Sequence, residues 1–463
     1  MTARTNSGTL VVVTTRRSNR KPPDLLADPI LPTIVRLASP NVVGLFAQTL
    51  TIAYDGYIVA RLGIEALAAV ALVFPLSMLM VQLSRAAMGG GISSAVSRAL
   101  GAGASTRAGA IAWHGLAIEI AMGTMIGIAL LVAGPWMYAA MGAKGTVIEL
   151  ARTYAWPLFG FAIATWIHNG LSAIHVGCGN LRLPAVCLVG SALSHVVLCP
   201  VLVFGAGPIP PLGIAGASLS FVVLNALFAF VLAWPLVRGS APIRLQPVPI
   251  ERAVFRDVLR VGIPASVSPF ISNGTVIVLT GYAGIFGTTT LAGYGIGARL
   301  EYLLIPLSFG FGAALLTMVG RNFGAGQHER AATIAWRGSL LVALITGSIG
   351  VLVALFPDAW TRWFVQDPSD PVRVIANQYL HIAGAFYAPF GFGLAFFFAS
   401  QGAGRLFWPL VGSVARLAVA LVGGAIAIHF ASPTALFVVI GVSFLVYALV
   451  PAIAFRRGAW IPR

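Results

Sequence analysis

An internal repeat constrains this chain more than any other feature of its sequence. GAGASTRAGAIAWHG begins at Gly101 and GAGQHERAATIAWRG begins at Gly324, 223 positions later, with nine of fifteen residues identical. Pro40 and Pro264, and Gly63 and Gly287, keep nearly the same offset. Such a long period excludes solenoids and propellers, whose units are far shorter. It predicts two large halves that face each other across an interface.

Composition places both halves in a membrane. Of 463 residues, 58% are hydrophobic and 9% are charged, against about 25% charged in ordinary soluble domains. Apolar stretches of spanning length fall near residues 37–59, 66–88, 109–132, 150–171, 184–204, 213–236, 258–282, 290–318, 333–356, 374–399, 408–430 and 433–455. Six spans per repeat return the chain to one side, so the halves share one topology. We predict an all-α integral membrane protein with twelve transmembrane helices in two pseudo-symmetric six-helix bundles.

The basic residues predict the orientation. Despite the net charge of +16, Lys and Arg concentrate on the side of the N-terminus, where the spans place Arg85, Arg98 and Arg416 among many others. The opposite side has only Arg61, Lys144, Arg152, Arg362 and Arg373. By the positive-inside rule both termini are cytoplasmic, as in a multi-pass protein of the bacterial inner membrane. These residues orient the protein, and no binding of nucleic acid is expected.

The spans divide the chain into five parts. They are a flexible cytoplasmic tail (1–36), an N-terminal six-helix lobe (37–237), a Pro- and Arg-rich cytoplasmic linker (238–257), a C-terminal lobe (258–455) and a short cytoplasmic tail (456–463). The chain contains Cys178, Cys187 and Cys199. Their spacing predicts neither a disulfide framework nor a metal site.

Asp55 is an acid within the first span. A charge at membrane depth costs at least ~2.5–3.5 kcal/mol, so it indicates a function or a special location. Asn41, Gln48 and Thr51 share its helix face and make a polar stripe. The corresponding residue of the second repeat is Leu279, so the scaffold itself requires no acid here. We interpret Asp55 as a coupling residue, with a carboxylate reaching the outer interface as the alternative.

The seventh span, which opens the second half, carries a matching stripe of Ser266, Asn273 and Thr280. If the halves face each other, both stripes border a central cavity, where transporters built from repeats bind substrate. Aromatic side chains such as Tyr54 would stack on planar cations. The predicted substrate-cavity residues are therefore Asn41, Gln48, Thr51, Tyr54, Ser266, Asn273 and Thr280.

Two further acids lie inside spans. Glu119 corresponds to Val342 of the second repeat, and we interpret it as a structural acid paired with His114 or His168. Glu301 follows Arg299 in the eighth span, where a structural ion pair and a transport role are both open.

His195 lies on a polar face of the fifth span with Ser191 and Cys199. Imidazole changes charge between pH 5 and 8, so His195 is a second candidate for proton exchange. The histidines and acids lack the matched spacing of a metalloenzyme. Neither a catalytic site nor a metal site is predicted.

Together, several short motifs resemble the multidrug and toxic compound extrusion (MATE) transporters. They are Pro40 and Asp55 fifteen residues apart, RLGIEALAAVALVFPL, ALGAG, GCGNLRLP, PLGIAGASLS, VGIPAS, LAGYGIGARLEYLLIP and VGRNFGAG. They occur in this order between about residues 37 and 455. The resemblance implies twelve helices in two lobes and the export of organic cations in exchange for protons or sodium.

The resemblance also implies residue roles. Asp55 matches the acid of helix one, the proton or cation site of the N-terminal lobe, and Pro40 matches the proline where that helix bends. His195 and Cys199 stand where the archaeal and DinF-type branch has an Asn and an Asp. The NorM-type branch has acids in helices seven and ten, and spans 258–282 and 374–399 have none. We therefore place the chain closer to the DinF-type prokaryotic branch, with protons favoured over sodium.

The sequence thus predicts a monomeric antiporter that exports organic cations, drugs or other amphipathic small molecules without a cofactor. The alternative is a flippase for a lipid-linked precursor, which needs several basic residues in its cavity. Arg299 is the only clear candidate. An intramembrane enzyme would need a paired catalytic constellation, which the sequence does not offer.

Overall fold

The computed structural model describes residues 23–458 and Trp460, and this part of the chain is predominantly helical. Its α-helices are α1 (Ile30–Ala60), α2 (Ile64–Gln82), α3 (Gly89–Gly101), α4 (Ser105–Ala140), α5 (Thr146–Gly160), α6 (Ala162–Gly177), α7 (Arg182–Phe204), α8 (Ile214–Val237), α9 (Arg252–Ile285), α10 (Thr288–Gly324), α11 (His328–Leu355), α12 (Asp358–Thr361), α13 (Pro371–Ala383), α14 (Tyr387–Ala403), α15 (Phe407–His429) and α16 (Pro433–Arg456). A π-helical turn, Leu83–Met88, joins α2 to α3, and a 3₁₀ turn, Gly384–Phe386, joins α13 to α14.

Eleven helical segments of the described residues are long and apolar enough to cross a membrane, when each joined pair is taken as one segment. The remaining predicted span, 150–171, corresponds to α5 and α6, helices of 15 and 16 residues. Phe161 lies between them with φ −110° and ψ 28°, outside helical geometry. The predicted all-α fold with twelve spans is confirmed.

The two lobes exchange the first turns of their first helices. Ile34 and Leu37 of α1 pack in an apolar core formed mainly by the second lobe. Val254 and Val258 of α9 pack in the core of the first lobe. Both ends of the described chain lie on this side, since the Asn322 amide at the end of α10 donates to the Leu25 carbonyl and Trp460 packs in the same core as Leu25. We call it the termini side, and the opposite side the distal side.

The lobes are in backbone contact on the termini side. A Cβ on Gly101, the last residue of α3, would lie 2.0 Å from the Arg321 carbonyl oxygen, and a Cβ on Gly324 would lie 2.0 Å from the Arg98 carbonyl oxygen. Arg98 Nη1 also donates to the Gly402 carbonyl at 3.1 Å. We call these five residues the termini-side seal. Among the described helices, neither α1 and α9 nor α7 and α15 pack together, so the lobes separate toward the distal side.

Two predicted boundaries are wrong. Helix α1 begins at Ile30, within the predicted tail, whose residues 1–22 lie outside the described ranges. Helix α9 begins at Arg252, so the linker is shorter than 238–257. Each extension buries an apolar residue, Ile34 or Val254, against the opposite lobe, which overrides its charged neighbours. In the predicted C-terminal tail, Trp460 is buried against Phe396 and Phe455.

Candidate functional site

Asp55 and His195 meet inside the first lobe. Asp55 on α1 is only 4% exposed, and its Oδ1 lies 3.6 Å from His195 Nε2 on α7. Cys199, one turn further along α7, places its Sγ 3.7 Å from the same oxygen. Residues four apart share a helix face, which brings His195 and Cys199 to one carboxylate. Asp55 therefore does not reach the outer interface, the alternative that its sequence position left open.

Hydrogen bonds around His195 indicate where its protons lie. Ser220 Oγ donates to the Ala217 carbonyl at 2.7 Å, which uses the hydroxyl proton. The Ser220 oxygen is then an acceptor for His195 Nδ1 at 3.0 Å. A neutral imidazole protonated on Nδ1 has a bare acceptor at Nε2. This nitrogen faces the Asp55 carboxylate, which also only accepts. The two groups form a hydrogen bond only when a further proton binds between them.

The surroundings of this pair are mostly apolar and aromatic. The Phe221 ring lies 4.3 Å from the His195 ring, and the Tyr54 ring meets it edge-on at 6.4 Å. The Tyr154 hydroxyl on α5 lies beside the Asp55 carboxylate. Sequence reasoning missed Tyr154, which belongs to no polar stripe or motif, and Ser220, which is the last residue of PLGIAGASLS but was assigned no role.

The same cluster offers metal ligands that were not predicted. Ligand atoms of Asp55, His195 and Cys199 all lie within 4.8 Å of one another. One oxygen, one nitrogen and one sulfur suit a borderline-soft ion such as Zn²⁺. They do not suit a hard cation, which prefers several oxygens. The donor set therefore fits a proton or a softer ion better than it fits sodium.

A central cavity of about 60 Å³ lies between the lobes. The first lobe lines it with Asn41, Arg85 and Asn169, and the second lobe with Phe309 and Phe398, among other residues. Arg85 lies in the π-helical turn that joins α2 to α3, inside a membrane-spanning segment. Its prediction as an orienting cytoplasmic residue is wrong. Charge next to an apparent span end at residue 88 suggested a loop, but the helix continues to Gly101.

The side chains of the polar stripe of α1 lie in different surroundings. Asn41 lines the central cavity, whereas the Gln48 side chain accepts from Arg85 Nη1 at 2.9 Å. Thr51 donates to the Ala47 carbonyl of its own helix. Tyr54 donates to the Val196 carbonyl of α7, so it packs within the first lobe and not in the cavity as predicted. Pro40 lies inside α1, which is helical throughout, and the bend there stays a prediction.

The predicted stripe of α9 does not line the central cavity. Ser266 donates to the Gly262 carbonyl and Asn273 to the Pro269 carbonyl, both in their own helix. Thr280 bonds to Tyr294 of the second lobe. The second lobe contributes aromatic and aliphatic side chains of α10 and α14 instead. Short hydroxyl and amide side chains can donate hydrogen bonds to nearby backbone carbonyls. Their heptad spacing therefore did not predict which residues line the cavity.

Glu119 does not pair with a histidine as predicted. It is fully buried in α4 and accepts from Ser84 Oγ at 3.0 Å. His114 instead accepts from the Glu251 backbone at 2.9 Å. Asn169, which lines the central cavity, donates to the same Ser84 hydroxyl at 3.2 Å. Glu119 therefore supports the packing of the π-helical turn Leu83–Met88 against α4 and α6 behind the cavity.

Glu301 lies in the core of the second lobe and accepts from the Tyr379 hydroxyl. Arg299 is exposed, with its guanidinium 5.3 Å from the Phe364 ring, so it neither pairs with Glu301 nor lines the central cavity. Arg416, placed at the cytoplasmic side by the sequence, is buried within α15 among aromatic rings. Arg416 was misplaced because span ends were assigned from hydropathy alone, and Arg299, the cavity candidate of the flippase alternative, lies elsewhere.

Comparisons with known proteins agree with this architecture. The family model of MatE matches residues 40–201 and 264–426, one match in each repeat. The chain is 25% identical over 348 residues to the probable multidrug resistance protein NorM of Thermotoga maritima, with 74% of each chain covered. It is 24% identical over 404 residues to the FAD transporter of Shewanella oneidensis, covering 85% of this chain and 87% of that one.

Solved structures show the same fold. A MOP superfamily transporter from Pyrococcus furiosus, whose binding pocket is described as having reverse polarity, superimposes with a TM-score of 0.86 at 26% identity, covering 94% and 97% of the two chains. A multidrug resistance MATE transporter in an outward-facing conformation gives 0.85 at 27% identity with the same coverage. These relatives do not support the predicted closeness to the DinF-type branch, which stays a prediction.

Proposed function

Because the chain belongs to the MatE family, whose members are transporters and not enzymes, we propose that it is an antiporter that exports amphipathic small molecules in exchange for protons. The observation that carries the proposal is the buried pair of Asp55 and His195. A proton placed between these two buried acceptors would convert an unsatisfied polar contact into a hydrogen bond.

Protons are the proposed coupling ion, and sodium is the less favoured one. A sodium site needs several oxygen ligands, whereas the groups next to Asp55 are an imidazole and a thiol. Loading and release of one proton would switch the cluster between an anionic and a neutral state. Because the cluster lies between α1 and α7, its charge would bias how these helices pack.

The termini side is proposed to be cytoplasmic by the positive-inside rule. With the lobes sealed on that side, the structure would present its cleft to the outside, as expected of an exporter about to release substrate. We also propose that the protein acts as a monomer in the bacterial inner membrane. The central cavity lies between two lobes of a single chain, so it needs no second subunit.

The proposed substrates include aromatic anions as well as neutral molecules. A FAD transporter among the relatives carries a substrate with phosphate groups. Arg85 in the central cavity disfavours the organic cations that the resemblance implied, because like charges repel in a water-poor site. The flippase alternative has less support. Arg299 lies outside the central cavity, whereas a pyrophosphate headgroup would need several basic residues there.

Transport into inside-out membrane vesicles tests the proposal. Vesicles that contain the protein are energised to acidify the lumen, and a panel of dyes, flavins and antibiotics is added outside. An antiporter exchanges luminal protons for its substrate, so at least one compound should collapse the pH gradient. Asp55→Asn should abolish this response, because the amide keeps the shape but cannot bind and release a proton.

Thr51→Val is the matched control, one helical turn earlier on α1, because its hydroxyl serves only its own helix. This variant should keep the response. Substrate-driven proton release at the wild-type rate by Asp55→Asn, at normal abundance, would remove Asp55 from coupling.

A further inference from the structure

Arg85 is a cationic side chain in the central cavity that no carboxylate neutralises. Within residues 23–458 and Trp460, no carboxylate oxygen lies within 4.0 Å of its guanidinium. Among the described residues, its guanidinium donates from Nη1 to Gln48 Oε1, at 2.9 Å. Charged groups inside membrane proteins almost always have an opposite charge or line a water-filled path. Arg85 faces the cavity, so its natural partner is a ligand.

The backbone around Arg85 supports this exposure to the cavity. Arg85 lies in the π-helical turn Leu83–Met88, with regular α-helix before and after it. Single π-helical turns inside α-helices occur frequently at functional sites. The neighbouring Ser84 is fully buried and donates to Glu119. The turn therefore directs Arg85 inward and anchors its neighbour in the first lobe.

The remaining cavity wall has two chemical parts. The first lobe adds the amides of Asn41 and Asn169 beside Arg85, and these can donate to oxygen atoms. The second lobe adds the rings of Phe309 and Phe398, whose centroids are 4.9 Å apart. Among the described residues, those that line this cavity include no acid. Donors on one wall and aromatic rings on the other fit an anionic group attached to a planar aromatic body.

We propose that the central cavity selects aromatic organic anions, with Arg85 binding a phosphate, carboxylate or sulfonate group. The cavity volume of about 60 Å³ is far below the roughly 300–1,000 Å³ of pockets that enclose whole drug-sized ligands. It suits the charged headgroup and the adjoining edge of the aromatic body beside Phe309 and Phe398, with the rest of that body directed toward the distal side between the lobes. The inference rests on the proposed function, because it treats this cavity as the substrate site.

Riboflavin and flavin mononucleotide (FMN) are matched probes, because they share one ring system and differ by a phosphate group. Purified wild-type protein should bind FMN at least about tenfold more tightly than riboflavin, as expected for a charge-assisted hydrogen bond. Arg85→Gln should remove this preference, and Arg85→Lys should retain part of it. Arg299→Gln, a charge removed outside the cavity, should keep it. Fluorescence quenching of the flavin ring measures all four proteins.

Equal binding of both flavins by the wild type, or a preference that survives in correctly folded Arg85→Gln, would overturn the inference. Binding is measured without a gradient, so it separates this inference from proton coupling. An Arg85-dependent preference without proton release in vesicles would sink the antiport proposal alone.

A second arm distinguishes soluble anions from lipid headgroups. Fluorescent phosphatidic acid is added to one set of proteoliposomes and fluorescent phosphatidylcholine to another. The movement of each lipid between the leaflets is then measured. Arg85-dependent movement of phosphatidic acid alone, without FMN binding, would support the same anion site with a lipid as its ligand. Movement of both lipids at the same rate in wild type and Arg85→Gln, with no FMN preference, would count against an anion site.

Discussion

Replacing Gly324 by alanine should open the termini-side seal. A Cβ at this position would lie 2.0 Å from the Arg98 carbonyl oxygen, whereas real Cβ atoms essentially never come closer than 3.0 Å. The ends of α3 and α10 therefore have to separate by about 1 Å or more. Because the obstructing atom is helix backbone, no side-chain rotation can relieve the clash.

The size of the effect follows from the cost of overpacking, typically about 1–3 kcal/mol. This cost falls on the conformation in which the seal is closed and not on one in which it is open. Since ~1.4 kcal/mol changes an equilibrium constant tenfold, the ratio of open to closed molecules should rise by about 5- to 150-fold. Gly101→Ala makes the repeat-related clash with Arg321 and should act in the same direction.

Thiol labelling measures this opening. Ser97→Cys serves as the reporter, because Ser97 is fully buried in α3 next to Gly320 of the other lobe. The native cysteines are buried. In inside-out vesicles, an impermeant reagent should label the reporter faster when Gly324→Ala is added.

Gly295→Ala is the control, because the same change in the same helix meets nothing within 4 Å. Equal labelling rates with Gly324→Ala and Gly295→Ala would refute the reasoning. Labelling only from the outside of intact cells would overturn the proposed orientation.

Three further predictions concern titratable groups. His195→Gln should change the pH dependence of export between about pH 5.5 and 8 more than its maximal rate, because the amide cannot take a proton, and superimposable profiles would remove His195 from coupling. Glu119→Gln should lower abundance more than coupling, and lost coupling at normal abundance would contradict its structural role. Outside the spans, hydrogen bonds from Asn377 and Arg373 lower the pKa of Asp358 below 3.8. Its stabilising contribution exists above that pH and is lost as pH falls through the lower folded value. In thermal unfolding, Asp358→Asn should therefore cost at most about 1 kcal/mol at pH 7 and nothing once the pH lies below the folded-state pKa. A loss that persisted there would exclude the carboxylate as its cause.

Hydropathy was sufficient to predict the twelve spans, because spanning helices require long apolar segments. It failed where a helix continues through small or charged residues. The segment GGGISSAVSRALG after Met88 looks like a loop but forms α3. Its small residues allow the backbone contacts of the seal, which is a tertiary reason that hydropathy does not contain.

The candidate site was predictable only in part. Asp55 stood out as an acid without a counterpart in the second repeat, and its resemblance to a family motif suggested His195 as a neighbour. No local pattern links α1 to α7, since the two residues are 140 positions apart. The hydroxyl of Ser220, which determines the proton arrangement on His195, lies on a third helix. Its part in the cluster depends on packing that sequence spacing does not encode.

The spacing of the two repeats indicates an irregularity near Arg85 that hydropathy does not reveal. Gly63 and Gly287 are 224 positions apart, whereas Gly101 and Gly324 are 223 apart. The first repeat therefore has one extra residue between these glycines. A π-helical turn holds one residue more than an α-helical turn. The turn Leu83–Met88 lies between Gly63 and Gly101. In the second repeat, α10 runs as uninterrupted α-helix through the corresponding segment. The two repeats therefore differ in helical phase at the point where Arg85 enters the cavity. Deleting one residue from this turn should rotate Arg85 out of the cavity. The deletion should abolish the FMN preference and leave the termini-side seal closed.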